Sequence, residues 1–539
     1  MPYPDLRSFV DALDSSGQLK RVSAQVNPEL EITEIADRVS KSPCPEGSSG
    51  APDTDPIHGA TGGHALLFEN VLDSDIPVAI NLFGSYARMR MALGCEDFES
   101  LAARVEKLAK PQPPTSLMEK MKMLPELAKI AGYAPKRVKR GACQEVVHTD
   151  KADLFNLPII KCWPHDAGAD DDVMEGIAPA SPSERHRQVI GGPNDRPAVT
   201  VSDSPVGRYI TLAGIYTTAP DGSEPNIGMY RIQATGPKSA LFHCHMHHDG
   251  ARHQRMWAAQ GREMPVAIAL GGESVLPYAA TCPLPPSVSE LLFAGFLNDG
   301  GIPLCPGVSV PIDVPANAEI VIEGFVSPWH KEREGPFGDH TGFYSLADNF
   351  PSIRVTAITH RRNPIYPTTI VGLPPMEDYY MGKATERVFL PLLKMLIPDV
   401  VDYHLPRWGA FHNFAFVRIR KEYPYQARRV ASAVWGAGQM AFTKFIVIVD
   451  EDVNVHDEQE VMFHVGANVD PRRDTFVVEG PLDILDHAAP YCGAGSKMGI
   501  DATRKIQGEG VVRPWPKLLK MNEEIVRLVD GRWREYGLD

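Results

Sequence analysis

A chain of 539 residues exceeds what one hydrophobic core can organise and implies two to four domains. Its 54 basic against 68 acidic residues leave a net charge of −14, and the only short basic patch, residues 136–140, reads as a solvated face, which sets nucleic-acid binding aside. There is no run of eighteen apolar residues and no apolar segment near Met1, and the eight cysteines include no CxxC pair. The expectation is a cytoplasmic protein with reduced thiols.

Residues 5–19 carry Leu6, Phe9, Val10 and Leu13 at helical spacing, and Gly17 stands where such a helix would stop. A second helix is predicted over 31–39. Residues 41–63 are rich in Gly, Pro and Ser and read as a flexible loop, followed by short buried strands at 65–68 and 78–80. Helices over 85–93 and 97–110 complete a small α/β unit, which the proline-rich stretch 111–114 ends. From Glu145 the texture changes to brief strands at 158–160, 209–216, 228–233, 240–243 and 266–270, the pattern of a barrel or sandwich. Residues 167–205 interrupt it as an acidic, Pro- and Gly-rich insertion. Beyond Tyr344, strands at 353–358, 414–419 and 445–449 alternate with helices at 386–396 and 426–435. The 517–536 tail carries one apolar stripe that suggests docking onto a second subunit. The fold class is therefore multidomain α+β.

Residues 331–345, KEREGPFGDHTGFYS, hold three carboxylates, a histidine, three glycines and a proline just after the apolar run 320–322. A strand entering such a loop could turn Glu334 and Asp339 into one cavity, where burial and repulsion tune their pKa values; a polar surface turn is the plainer reading. The segment 243–253 concentrates five of the 18 histidines, so that His243, His245 and His247 could share a strand face and a metal, although a polar strand explains them equally. Asn226 and Arg231 lie in NIGMYR, where a half-buried guanidinium needs an anion from substrate or protein. The irregular run 279–286, with Glu290 in the helix that follows, offers carbonyls and a carboxylate to a hard cation. Lys444 precedes a buried strand and is a candidate phosphate anchor. The glycines at 493 and 495 lack P-loop or dinucleotide-binding spacing.

The series DLRSFVDAL, LEITEIADR, ALLFENV, NIGMYR, EGPFGDHTGFY, MEDYYMGKATER, TKFIVIVDEDVN and MGIDATRK resembles the UbiD-type decarboxylases, the 3-polyprenyl-4-hydroxybenzoate carboxy-lyase family, over most of the chain. The resemblance implies an N-terminal α/β domain over 1–120, a split β-barrel binding prenylated FMN over 121–345, a C-terminal α/β domain over 346–510, and a docking helix over 511–539. It implies reversible non-oxidative decarboxylation of an aromatic or α,β-unsaturated acid, in quinone biosynthesis or aromatic acid metabolism, with Arg231, Glu334 and Asp339 catalytic. Asn226, His247 and Glu290 would hold Mn²⁺ or Mg²⁺, and carbonyls near Ala279, Ala280 and Cys282 would hold K⁺. Asn226, Gly228, Met229, Arg231, Met246, Thr281, Cys282 and Lys444 would bind the cofactor. Implied partners are a flavin prenyltransferase and further copies of the chain, as homodimer or homohexamer. The motif at 374–382, PPMEDYYMG, is similar to a broader bacterial group that includes menaquinone-pathway members. A flavin oxidoreductase on a similar barrel, without decarboxylation, is the alternative.

Overall fold

The computed structural model describes residues 2–538 except 47, 49–53, 111–127, 170–172, 174–205, 247, 285–287 and 411. Nearly all of the expected insertion at 167–205, and His247, therefore lie outside the described residues.

The N-terminal helices Leu6–Ser15, Tyr86–Leu93 and Phe98–Ala109 start where Asp5, Ser85 and Asp97 accept the backbone N–H groups of Ser8, Arg88 and Ser100. They pack with the helix Glu31–Ser40 around a four-stranded sheet in the order Leu19–Val22, Ala65–Phe68, Val78–Ile80, Tyr366–Pro367. The loop at 41–63 departs from expectation in its described part. Asp55 is 2% exposed and accepts the hydroxyls of Tyr86 and Tyr379, each at 2.9 Å, so buried hydrogen bonds anchor a segment whose composition suggested flexibility.

Nine strands form the central sheet, eight of them in the path Arg208–Ile210, Ile232–Gly236, Ser239–Phe242, Asp348–His360, Ala318–Glu334, Met264–Gly271, Ala213–Thr218, Pro225–Gly228. Both faces are buried, and the two-residue period divides the side chains between two cores. Val266, Ile268, Ile320 and Ile322 enter one, while Ala267, Ala269 and Val321 pack with Phe9, Leu13 and Leu82 in the other.

The strand expected over 228–233 is broken, and the break explains the curl of the sheet. Pro225–Gly228 is one end of the path and Ile232–Gly236 lies next to the other end, yet only residues 229–231 join them. A three-residue link brings the two ends together only if the sheet curls into a half-barrel. The expected strand at 158–160 is instead extended chain without strand pairing, with Tyr209 N–H donating to the Ile160 carbonyl at 3.0 Å. Asp348–His360 pairs with Ala318–Glu334 over eleven register positions, so the central sheet continues past residue 345.

The C-terminal unit is a five-stranded sheet in the order Val400–His404, Phe414–Ile419, Phe445–Asp450, Ala494–Asp501, Thr475–Pro481. The helix Gln426–Trp435 supplies the crossover that the parallel pair Phe414–Ile419 and Phe445–Asp450 needs. The helix Glu377–Leu396 joins this unit to the rest and begins well before the predicted residue 386, with Pro391 inside it. Glu523–Arg532 has no buried residue, and Leu519 is 98% exposed.

Candidate active site

The strand Ala318–Glu334 carries Glu334 as its last residue, and the short strands Phe337–Gly338 and Tyr344–Ser345 pair as a hairpin that holds Asp339 between them. Gly338 allows close approach there, since a Cβ on it would lie 2.1 Å from Cδ1 of Trp163. Arg231, in the link between the sheet's two ends, reaches both acids. Its Nε and Nη2 donate to the two oxygens of Glu334 at 2.7 and 2.9 Å, Nη1 donates to Asp339, and Nη2 also donates to Ser345 Oγ at 3.0 Å. The guanidinium lies 4.5 Å over the Phe337 ring. Glu332, by contrast, pairs with His330 at 3.1 Å near the surface.

Glu334 is 0% exposed, and burial alone would raise its pKa, but the Arg231 charge and the His243 imidazole hold it down to about 2. Asp339 is depressed further: burial is opposed by hydrogen bonds from His340 and by Arg231. His340 rises to about 9, since its 3.0 Å bond to Asp339 outweighs desolvation. The strand Ser239–Phe242 ends before His243, so His243 and His245 do not share a strand face. His243 Nδ1 donates to Glu334 at 3.2 Å, and its Nε2 lies 2.7 Å from Nε2 of His245, a ring stacked on His248. Burial lowers the pKa of both His243 and His245, so neutral rings form a chain ending on Glu334.

Arg231, Asp339, His340, His243, His245 and His248 line a cavity of about 740 Å³ together with Met229, Thr281, Phe389 and Leu393, while Glu334 is buried next to Arg231 and does not itself line it. An apolar cavity of that size with few convergent polar groups suits a cofactor and a small acid. Two lining residues escaped the sequence reading. Burial pushes the Asp378 carboxyl up to about 7 against the pull of His340, and His412 Nε2 lies 2.6 Å from His340 Nε2. Asp378 sat in a recognised motif, but nothing in its spacing marked it as facing the cavity.

The expected metal ligands come partly together. Glu290, first residue of the helix Glu290–Leu297, accepts the N–H of Ile227 at 3.3 Å, next to buried Asn226, whose amide donates to Thr217 at 3.4 Å. Burial raises the Glu290 pKa. Amide and carboxylate oxygens so placed suit a hard cation. Ala279, Ala280 and Cys282 are buried nearby in sequence, while Gly228 has no room for a side chain beside the Tyr230 ring, and Met246 is 40% exposed. Lys444 does not line the cavity, although Thr443 does; its Nζ is held by Asp486 at 2.6 Å in the C-terminal unit.

Three domain profiles of the 3-octaprenyl-4-hydroxybenzoate carboxy-lyase match the chain in order: the N-terminal domain over 10–108, the Rift-related UbiD domain over 194–374 and the C-terminal domain over 379–502. An uncharacterised protein of Aquifex aeolicus is 43% identical over 540 residues, covering 100% of this chain and 99% of the relative. One from Archaeoglobus fulgidus is 40% identical over 537 residues, covering 99% of each. Among solved structures, the closed form of vanillic acid decarboxylase from Sedimentibacter hydroxybenzoicus superposes with a TM-score of 0.77 at 24% identity over 100% of both chains. The UbiD-class enzyme HmfF from Pelotomaculum thermopropionicum, in complex with FMN, gives 0.71 at 26% identity over 98% of this chain and 99% of that one. The protein is thus a carboxy-lyase. It belongs to the UbiD family of decarboxylases, across its N-terminal, central and C-terminal domains.

Proposed function

We propose that this chain decarboxylates, reversibly, an aromatic or α,β-unsaturated carboxylic acid with prenylated FMN in the 740 Å³ cavity. The observation that carries the reading is Arg231 held between Glu334 and Asp339 at the cavity wall. When bound, the cofactor supplies the electron sink for the carbon that loses CO₂. The residues supply orientation and a proton. A substrate carboxylate arriving at Arg231 draws the guanidinium away from its two acids, and Glu334, less paired, rises from its resting pKa of about 2 toward protonation. The chain His245, His243, Glu334 then gives that carboxyl a proton route in hydrogen-bonded steps of 2.7 and 3.2 Å. Glu334 delivers the proton to the carbon left by CO₂.

Asn226 and Glu290, with His247, would hold Mn²⁺ or Mg²⁺ on the cofactor phosphate, and carbonyls near Ala279, Ala280 and Cys282 a K⁺ ion. The phosphate-anchor role for Lys444 finds no support from its pairing with Asp486. The exposed apolar residues of the tail favour assembly into a homodimer or homohexamer. The test is to produce the chain with and without a flavin prenyltransferase and to follow CO₂ release from a panel of aromatic acids. Turnover only after co-production is expected. Equal turnover with ordinary FMN would overturn the cofactor assignment.

A further inference from the structure

A second group of titratable side chains lies behind the cavity wall. On the helix Glu377–Leu396, Met381, Gly382, Thr385 and Phe389 face the cavity, while Lys383 and Glu386, both 0% exposed, do not line it. On the strand ending at His404, Tyr403 and Leu405 face the cavity and His404 faces away. His456, from the loop after Phe445–Asp450, meets it there.

The geometry points to a second metal centre, in which Glu386, His404 and His456 bind Zn²⁺ behind the active-site wall. Three observations carry this. First, the ligand atoms converge, all within 4.8 Å of one another and buried. Nδ1 of His404 and Nδ1 of His456 are 3.3 Å apart, and they stand 3.7 and 4.0 Å from oxygens of Glu386. Zinc bonds of about 2.1 Å place neighbouring tetrahedral ligands about 3.4 Å apart, so the imidazoles already stand at that spacing and the carboxylate needs a shift of a few tenths of an ångström.

Second, the far nitrogens are held as ligand histidines are held. Nε2 of His404 donates to Glu458 at 3.3 Å, and Nε2 of His456 donates to Asp402 at 3.0 Å. Each carboxylate fixes the proton on Nε2 and leaves the Nδ1 lone pair aimed inward. Two inward lone pairs 3.3 Å apart repel unless a cation lies between them. Third, the focus already attracts a cation. The Lys383 ammonium donates to both Glu386 oxygens at 2.8 and 2.7 Å and to His404 Nδ1 at 2.8 Å. A bound metal takes over this position and displaces the lysine. Glu386 stays in place, because the Leu405 N–H donates to it at 2.7 Å.

Two imidazoles and a carboxylate suit a borderline ion such as zinc, with the fourth position of the tetrahedron left to a water. The ion would staple the helix Glu377–Leu396 to the C-terminal sheet and so fix the rear of the cavity. This set is distinct from Asn226 and Glu290 in both residues and ligand softness.

The test uses the full chain, stripped with chelator and titrated with Co²⁺ and Zn²⁺, reading the visible absorbance of four-coordinate Co²⁺ and the metal content after gel filtration. One equivalent is expected in the unsubstituted protein and in Glu290→Gln, with none in His404→Gln or His456→Gln. Asp402→Asn should weaken binding about 10- to 100-fold, the usual effect of removing a carboxylate behind a ligand histidine. Lys383→Met should tighten it, because the competing cation is gone. An unsubstituted protein that binds no equivalent surviving Glu290→Gln would overturn the proposal, even where the histidine variants fail to fold. Equal binding by the histidine variants, or unchanged affinity in Lys383→Met, would overturn it as well.

Discussion

Of two clusters of buried charge, one around Arg231 and one on the helix Glu377–Leu396, only the first faces the cavity. In the first, a single guanidinium serves two carboxylates, and His340 and His243 each hydrogen-bond to one of them. In the second, cations and anions alternate: Arg387 joins Asp402 at 2.8 Å and Glu386 at 3.2 Å, and Lys383 joins Glu386. Glu334 in the first and Lys383 and Glu386 in the second are all fully buried. Burial of charge alone therefore does not mark a reaction centre; unequal partners on a cavity wall do.

Glu334→Gln separates the clusters most sharply. It keeps the shape and one hydrogen bond to Arg231 but removes the proton, so CO₂ release should fall about 10²- to 10⁴-fold, the range of a lost general acid. Retained turnover in a CO₂ assay would remove the first cluster from the chemistry. Arg387→Met should do the reverse. It leaves Asp402 and Glu386 short of a buried partner, a loss of roughly 3–5 kcal/mol in urea unfolding, while the protein that remains folded still turns over. Comparable losses of activity and stability in both variants would erase the distinction between the two clusters.

The pH dependence of stability sharpens the contrast next. The folded-state pKa of Glu334 is depressed from 4.5 to about 2, so its contribution is full above 4.5 and is lost as pH falls through 2, an effect of roughly 3 kcal/mol. His340 is raised from 6.5 to about 9, so its contribution is full below 6.5 and is lost as pH rises through 9. Thermal melts from pH 5 down to pH 2 should fall less steeply in Glu334→Gln than in the unsubstituted protein. Equal slopes would mean that this carboxylate does not carry the acid lability.

The first cluster was largely legible in the sequence and the second was not, for a physical reason. Residues 331–345 announce themselves by concentrating glycines and acids, and NIGMYR places a guanidinium among apolar residues that leave it no solvent. The second cluster is assembled from Lys383, Glu386, His404 and His456, lone residues on separate elements, so only the fold brings them together. The helix that carries half of it begins nine residues before the predicted start at 386. Glu377, Lys383, Glu386 and Arg387 are buried along with Tyr379, Tyr380 and Val388, so the helix is covered all round and shows no one-sided apolar stripe. The break in the strand at 229–231 was hidden as well, since residues 228–233 remain apolar enough to read as one strand. Asp55 was lost in a loop whose composition says flexible and whose buried hydrogen bonds to two tyrosines say otherwise.

The smallest effect concerns how the first cluster is held rather than what it does. Phe337 puts its ring 4.5 Å beneath the Arg231 guanidinium, the only aromatic face among the described contacts of that side chain. Leucine at 337 would keep most of the apolar volume and lose the quadrupole, a change of about 1 kcal/mol or slightly more at a desolvated site. Glu334 and Asp339 would still bind the guanidinium, so the acid chemistry should persist. What should change is the readiness of Arg231 to turn toward an incoming carboxylate, because the ring restrains the plane of the fork. Phe337→Leu is therefore expected to raise KM several-fold while kcat stays within about twofold, as loss of uniform binding does. A fall in kcat at constant KM would place Phe337 with the proton-delivering groups, and the boundary between holding and reacting in this cluster would move by one residue.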